Sequence, residues 1–232
     1  PKEAKSILDT FLSPEQQEAN RKLAEAKGII PTVVTAIENP STILHAGIES
    51  APSMIGGAGV AKGIMKIAPK VAPVVAAAMG EGAVSAGLQA EQLRQESEAG
   101  LISPKEAGAA VAAGIGVGAL TLMGGKIAQK FGFADIDTML AGGGSEVTEK
   151  GVIRRVIEGG ISEGIFEEFP QSAQEQVWMN AAQNKPLMEG VPEQAAMGGL
   201  VGAGMGGGVN IISPAKAPVQ KSKETPPPTT DT

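Results

Sequence analysis

The chain has 232 residues, with 19 Lys and Arg against 25 Asp and Glu, a net charge of −6 and a pI near 5.0. No cluster of cations accompanies that balance, which argues against sequence-specific nucleic-acid binding, since phosphate contacts need grouped positive charge. Cysteine is absent and His45 is the single histidine, which excludes disulfide scaffolds, thiol catalysis and multi-His metal sites and leaves little for a histidine triad.

The pattern reads as all-α, an elongated helical segment, because no run of five or more residues alternates as a strand should. Residues 1–50 read as short amphipathic helices. The chain starts at Pro1, and Ile7, Leu8, Phe11 and Leu12 sit among charges, so a piece of a longer protein without a signal peptide is expected. Ser13-Pro14-Glu15-Gln16 is a capping box with Pro at the first helical position, opening a helix expected to reach Gly28. Pro31 and Pro40 should punctuate two short helices before Ser53.

Residues 51–141 read as a Gly/Ala-rich helical hairpin. Lys62, Lys66 and Lys70 precede an apolar arm, Val71–Leu88, interrupted by Pro73 and Glu81. The polar tip EQLRQESEAG follows, with Gly100 as a helix stop. Ser103-Pro104-Lys105-Glu106 repeats the capping device and opens a helix to about Lys130. Its run Ala107–Gly125 carries no charge, and Lys126 and Lys130 lie beyond it. Both arms therefore start or end on lysines.

Gly142, Gly143 and Gly144 read as a loop or hinge. Residues 145–212 read as a long kinked helix plus a glycine-zipper segment. Ile153, Ile157, Ile161, Ile165, Phe169, Ala173 and Val177 recur every four residues and should form its packed stripe. Glu158, Glu163, Glu167, Glu168, Gln171 and Glu175 should then lie on a solvated face, and Pro170 should kink the helix. Residues 213–232, rich in Pro, Lys, Ser and Thr, read as a disordered linker.

The 32 glycines need a reason, since glycine inside a helix costs about 1 kcal/mol relative to alanine. Gly198, Gly202 and Gly206 form GxxxGxxxG, and Gly114 with Gly118 forms GxxxG. Such stripes let backbones touch and mark helix-packing faces, in membranes especially. About 20 apolar residues span a bilayer, but Val111, Ile115, Val117, Leu120 and Leu122 together supply only about −2 kcal/mol of insertion energy. The hairpin reads as a conditional membrane element.

Chemistry is sparse by the same reading. Gly202-x-Gly204-x-x-Gly207 matches the letters of a dinucleotide fingerprint but follows no strand and has no acidic partner at the required distance. No catalytic, cofactor-binding or metal-binding residue is assigned, and no cofactor is implied. Phe169, Pro170 and Trp178 are the candidates for partner contact, Trp178 as a lone aromatic anchor.

Three passages carry a resemblance: GAGVAKGIMKIAPKVAP, GVGALTLMGGKIAQKFGFADIDTML and EGIFEEFPQSAQEQVWMNAAQNKPLMEGVPEQAAMGGLVGAGMGGG. Over residues 50–210 the chain resembles the large internal virion (ejection) proteins of tailed phages, in a region outside their lytic transglycosylase module. The resemblance implies a non-enzymatic segment stored in the capsid interior or portal core. Released at infection, it would help form a conduit across the host envelope for DNA entry. Its partners would be the host membrane, further copies of itself and other virion core or ejection proteins. The competing expectations are a soluble helical scaffold, a glycine-rich translocation segment of a toxin-like effector, or an enzyme region built on the Glu163–Glu175 carboxylates.

Overall fold

The computed structural model describes residues 12–131, 135–142 and 152–212, and every regular element among them is a helix. Helix α1 spans Pro14–Glu25, and Ser13 caps it by accepting from the Gln16 amide at 3.2 Å. It ends three residues before Gly28, whose φ of 86° starts the next helix, α2, Ile29–Glu38.

Of the two short helices expected before Ser53, α2 is one, with Pro31 in its first turn, whereas the second is corrected to the long helix α3, Ser41–Ile67. Pro52 sits inside it. The Ser50 and Ser53 hydroxyls turn back onto the carbonyls of Ala46 (2.9 Å) and Ser50 (2.6 Å), so local side-chain bonds surround the break and the helix continues.

Helices α4, Pro73–Glu96, and α5, Pro104–Phe131, are the arms of the hairpin. At the tip Gly100 takes a φ of 63°, and Ser103 and Glu106 exchange the two capping bonds, 2.6 Å from the Ser103 amide and 3.3 Å from the Glu106 amide. The seam between the arms is backbone against backbone. A Cβ on Gly114 would meet the Gly82 carbonyl and Ala86, and one on Gly118 would stand 2.7 Å from the Ala78 carbonyl. The α3–α4 seam works alike, with Gly57 against Glu81 and Gly80 against the Gly57 carbonyl.

The one-turn helix α6, Ile136–Leu140, is capped by Asp135, which accepts from the Thr138 amide at 2.7 Å. Helix α7 runs through Val152–Ile161, then a π-helical stretch Ser162–Glu168, then Phe169–Ala182. Pro170 lies just past the π stretch. The sequence suggests a kink there; the structure instead widens the helix, and the Phe169 amide reaches back to the Gly164 carbonyl. After a loop, α8, Val191–Ile212, closes onto α7. Gly143 and Gly144 of the expected hinge, and the expected linker 213–232, lie outside the described residues.

The packed interior is made mostly of small residues, with Leu93, Val117, Ile136 and Met179 among the few large apolar side chains it encloses. Ala61, Ala76, Ala77 and Ala141 form one buried cluster, and Leu93, Ala109, Met179 and Ala182 another. The large apolar side chains are distributed the other way. Ile30, Ile55, Ile67, Val111, Ile115 and Ile165 are all exposed, Ile115 by 69% and Ile165 by 61%.

Candidate functional site

Glu167 is 1% exposed and Glu163 4%. This overturns the expected solvated acidic face. In the stripe that should have been packed, Ile157, Ile161 and Ile165 are the exposed residues, while the carboxylates opposite point into the bundle. The inversion follows from what α7 packs on. Its partners α5 and α8 present glycine there, and a glycine seam has room for a long side chain lying along it. Glu167 rests on Gly124 of α5, Glu163 on Gly206 of α8, and Glu168 on Gly202 of α8. Ser172 and the Glu168 carbonyl occupy the space beside Gly198.

Two further elements bring carboxylates to the same place. Glu81 comes from α4, and Asp135 and Asp137 from α6. Glu81, Asp137 and Glu167 each offer an oxygen to a group lying within 4.8 Å, and so do Asp135, Glu163 and Glu167. Glu167 belongs to both triads. Its neighbours are ordered by hydrogen bonds: Thr121 donates to Glu81, while Gln171 donates to the Thr121 hydroxyl at 3.0 Å and to Glu167 at 3.3 Å. The Ile136 amide donates to Glu163 at 3.1 Å.

No ion pair reaches these carboxylates among the residues whose side chains are described; the pairs seen there, Arg21 with Glu18 and Glu25, His45 with Glu49, and Arg94 with Glu91, lie elsewhere. An acid group taken out of water without a cation prefers its neutral form. Burial pushes Glu163 and Glu167 well above the usual carboxylate range, reinforced by Asp135 and Asp137 around Glu163 and by Glu163 itself beside Glu167. Burial and the neighbouring Asp135 raise Asp137 to about 6. Burial, with Asp137 and Glu175 nearby, raises Glu168 to about 8. Asp135 and Glu175 are raised by burial as well, against the hydrogen bonds that the Thr138 amide gives to one and the Ser85 hydroxyl to the other.

A cleft of about 410 Å³ opens beside the cluster between α3, α4, α7 and α8, with Glu81, Glu168, Gln171 and Glu175 on its wall. Chemically, the arrangement can store protons, take up a hard cation, or present Glu168 as an acid to something in the cleft.

The residues singled out from sequence fall in different places. Gly114 and Gly118 line the hairpin seam, and Gly198, Gly202 and Gly206 line the α7–α8 seam directly behind the carboxylates. Phe169 packs its Cβ 3.3 Å from the position a Gly199 Cβ would take, Pro170 is half-buried beside it, and Trp178 is 39% exposed further along α7. Sequence reading missed Asp135, Asp137 and Thr138, placed Gln171 with the carboxylates on a solvated face, and took Glu81 only as an interruption of an apolar arm.

Comparison of the chain with protein-family models, with curated proteins and with solved structures finds no significant match.

Proposed function

We propose that this chain is a non-enzymatic, membrane-seeking helical region of an ejection protein of the tailed-phage internal virion class. In this reading it is carried in the virion, delivered at infection, and contributes helices to a conduit through the host envelope. The observation that carries it is the inverted distribution of side chains. Carboxylates and small residues face inward, and large aliphatic residues face outward on most helices. Water-soluble bundles bury their large aliphatics, whereas ionisable groups of helices in lipid face the bundle interior. Helix α5 is also long and apolar enough to cross a bilayer by length and composition. Glycine seams of the kind between α4 and α5 serve close helix approach where lipid, not water, surrounds the pair.

The experiment is flotation of the purified chain with liposomes, beside a Val111→Glu/Ile115→Glu variant. Both substituted residues are exposed on α5, so the variant keeps the fold. Carbonate-resistant flotation of the wild type, lost in the variant, supports the reading. A wild type that stays in the lipid-free fraction with a sharp helical melt overturns it in favour of a soluble scaffold.

A second reading is favoured by Glu168 alone. A carboxyl raised to about 8 on the wall of a cleft is poised as a general acid near neutral pH. It requires a hydrolytic activity that Glu168→Gln abolishes and Val111→Glu/Ile115→Glu leaves intact.

A further inference from the structure

We propose that the two carboxylate triads bind hard divalent cations, Mg²⁺, Mn²⁺ or Ca²⁺, with Glu167 as the shared ligand. The inference stands on the acidic interior and is independent of the membrane reading.

The donor set fixes the class of ion. Both triads offer carboxylate oxygen only, the chain has no cysteine, and its one histidine is engaged with Glu49 on α3. All-oxygen sets suit Mg²⁺, Ca²⁺ and Mn²⁺ rather than zinc or copper. The spacing fits as well. Oxygens held about 2.0–2.6 Å from one ion stand no more than about 5 Å apart, and each triad places its ligand atoms within 4.8 Å of one another.

Two unpaired polar groups point to a missing ligand beyond the acidity itself. Asp135 is buried, and while its Oδ2 accepts from the Thr138 amide, its Oδ1 has no hydrogen-bond partner. The Thr138 hydroxyl, 7% exposed, also has none. Both residues turn toward the same wall: Asp135 Oδ2 and Thr138 Oγ1 lie 3.4 and 3.5 Å from the point a Cβ on Gly125 would occupy. Buried polar atoms are nearly always satisfied, and an exception calls for an explanation such as an ion.

Charge argues in the same direction. Glu81, Asp135, Asp137, Glu163 and Glu167 converge with no cation among the described residues to offset them. A cation arriving there would let these groups ionise while buried, since buried charges are paired or coordinate metals. The π-helical stretch that carries Glu163 and Glu167 is itself a form concentrated at functional sites. The cleft lined by Glu81 supplies an entry path.

The test uses the full chain, stripped with chelator and titrated with Mn²⁺ while the EPR signal of the free ion is followed, with Mg²⁺ and Ca²⁺ as competitors. Saturable uptake by the wild type is expected, together with a higher unfolding midpoint. Glu167→Gln should weaken uptake at least about tenfold, while the midpoint of the metal-free variant rises, because an amide is less costly to bury there than a carboxyl group without a cation. That opposite movement separates lost binding from lost folding. Asp135→Asn is a second variant expected to weaken uptake, and Glu25→Gln, on an exposed surface, a control expected to leave it unchanged. Folded wild type without saturable uptake, or uptake retained in both Glu167→Gln and Asp135→Asn, overturns the proposal and leaves the carboxyls as proton carriers only.

Discussion

Glu167 of α7 lies against Gly124 of α5, its carboxylate filling the space that any side chain on that glycine would take. One residue's absence of a Cβ is thus the condition for the other's burial. The same relation joins Glu163 to Gly206 and Glu168 to Gly202. Glycines and carboxylates, which look like separate features of the sequence, are two halves of one packing arrangement.

The seams make the first prediction. Gly114→Leu should destabilise the chain by about 1–3 kcal/mol or more, since the added atoms meet the backbone of α4 and not a side chain that can move aside. Gly87→Ala, on the same pair of helices but with open space around its Cβ, should stabilise by up to about 1 kcal/mol. Urea denaturation of both variants checks this, and equal effects would show the seam to be no tighter than the surface.

A pH dependence follows from the acidic interior. A carboxyl whose folded pKa lies above its unfolded value holds a proton in the folded state that the unfolded chain has released. Stability therefore falls as pH rises from the ordinary values, 3.8 for Asp137 and 4.5 for Glu168, through the folded values, about 6 and about 8 respectively. In chelator the urea midpoint should be higher at pH 5 than at pH 8. A flat or rising profile over that window would contradict the burial of the cluster.

Gln171 joins two of the acidic helices by donating to both Thr121 and Glu167. Gln171→Leu should cost about 1–3 kcal/mol, the range for leaving a buried polar partner unsatisfied. Gln171→Glu should cost more at pH 8 than at pH 5, because it adds a like charge to the cluster. Denaturation at the two pH values distinguishes the arms.

If the hairpin inserts as proposed, lysine placement sets its topology. Lys70, Lys126 and Lys130 stand at the base of the hairpin, where Val74 packs on Gly125, and positive flanks stay on the cytoplasmic side. The chain contains no cysteine, so Ser97→Cys at the tip and Lys130→Cys at the base give unique labelling sites. In membrane vesicles an impermeant thiol reagent should reach only one of the two. Labelling of both from one side would rule out a spanning hairpin.

Much of this architecture was legible in the residues. Ser13, Ser103 and Glu106 announce their helices because a capping bond is a local event three residues long. The hairpin was legible for a similar reason, since its apolar arms carry a single charge, Glu81, and its tip is polar. The orientation of α7 was not. Ile157, Ile161 and Ile165 recur with the same period as the carboxylates, and periodicity reports that a helix has two faces without saying which is buried. A signal was available in the charges: from Val156 to Asn184 the chain has acidic residues and no Lys or Arg, whereas a solvated helix face usually mixes both signs. Asp135 and Asp137 were beyond such reading, because only the tertiary fold carries α6 to α7.

The Gly28 amide donates to Glu193 at 2.7 Å, tying the start of α2 to the first turn of α8 across 165 positions of sequence. Contacts between α3 and α4 or between α4 and α5 close over short loops, whereas this one waits for 165 further residues. A ribosome releasing the polypeptide would thus present a preformed hairpin with its acidic cavity open on one side. Only the arrival of α8 seals α7 in place. The order of synthesis gives the carboxylates an interval in water before they are enclosed.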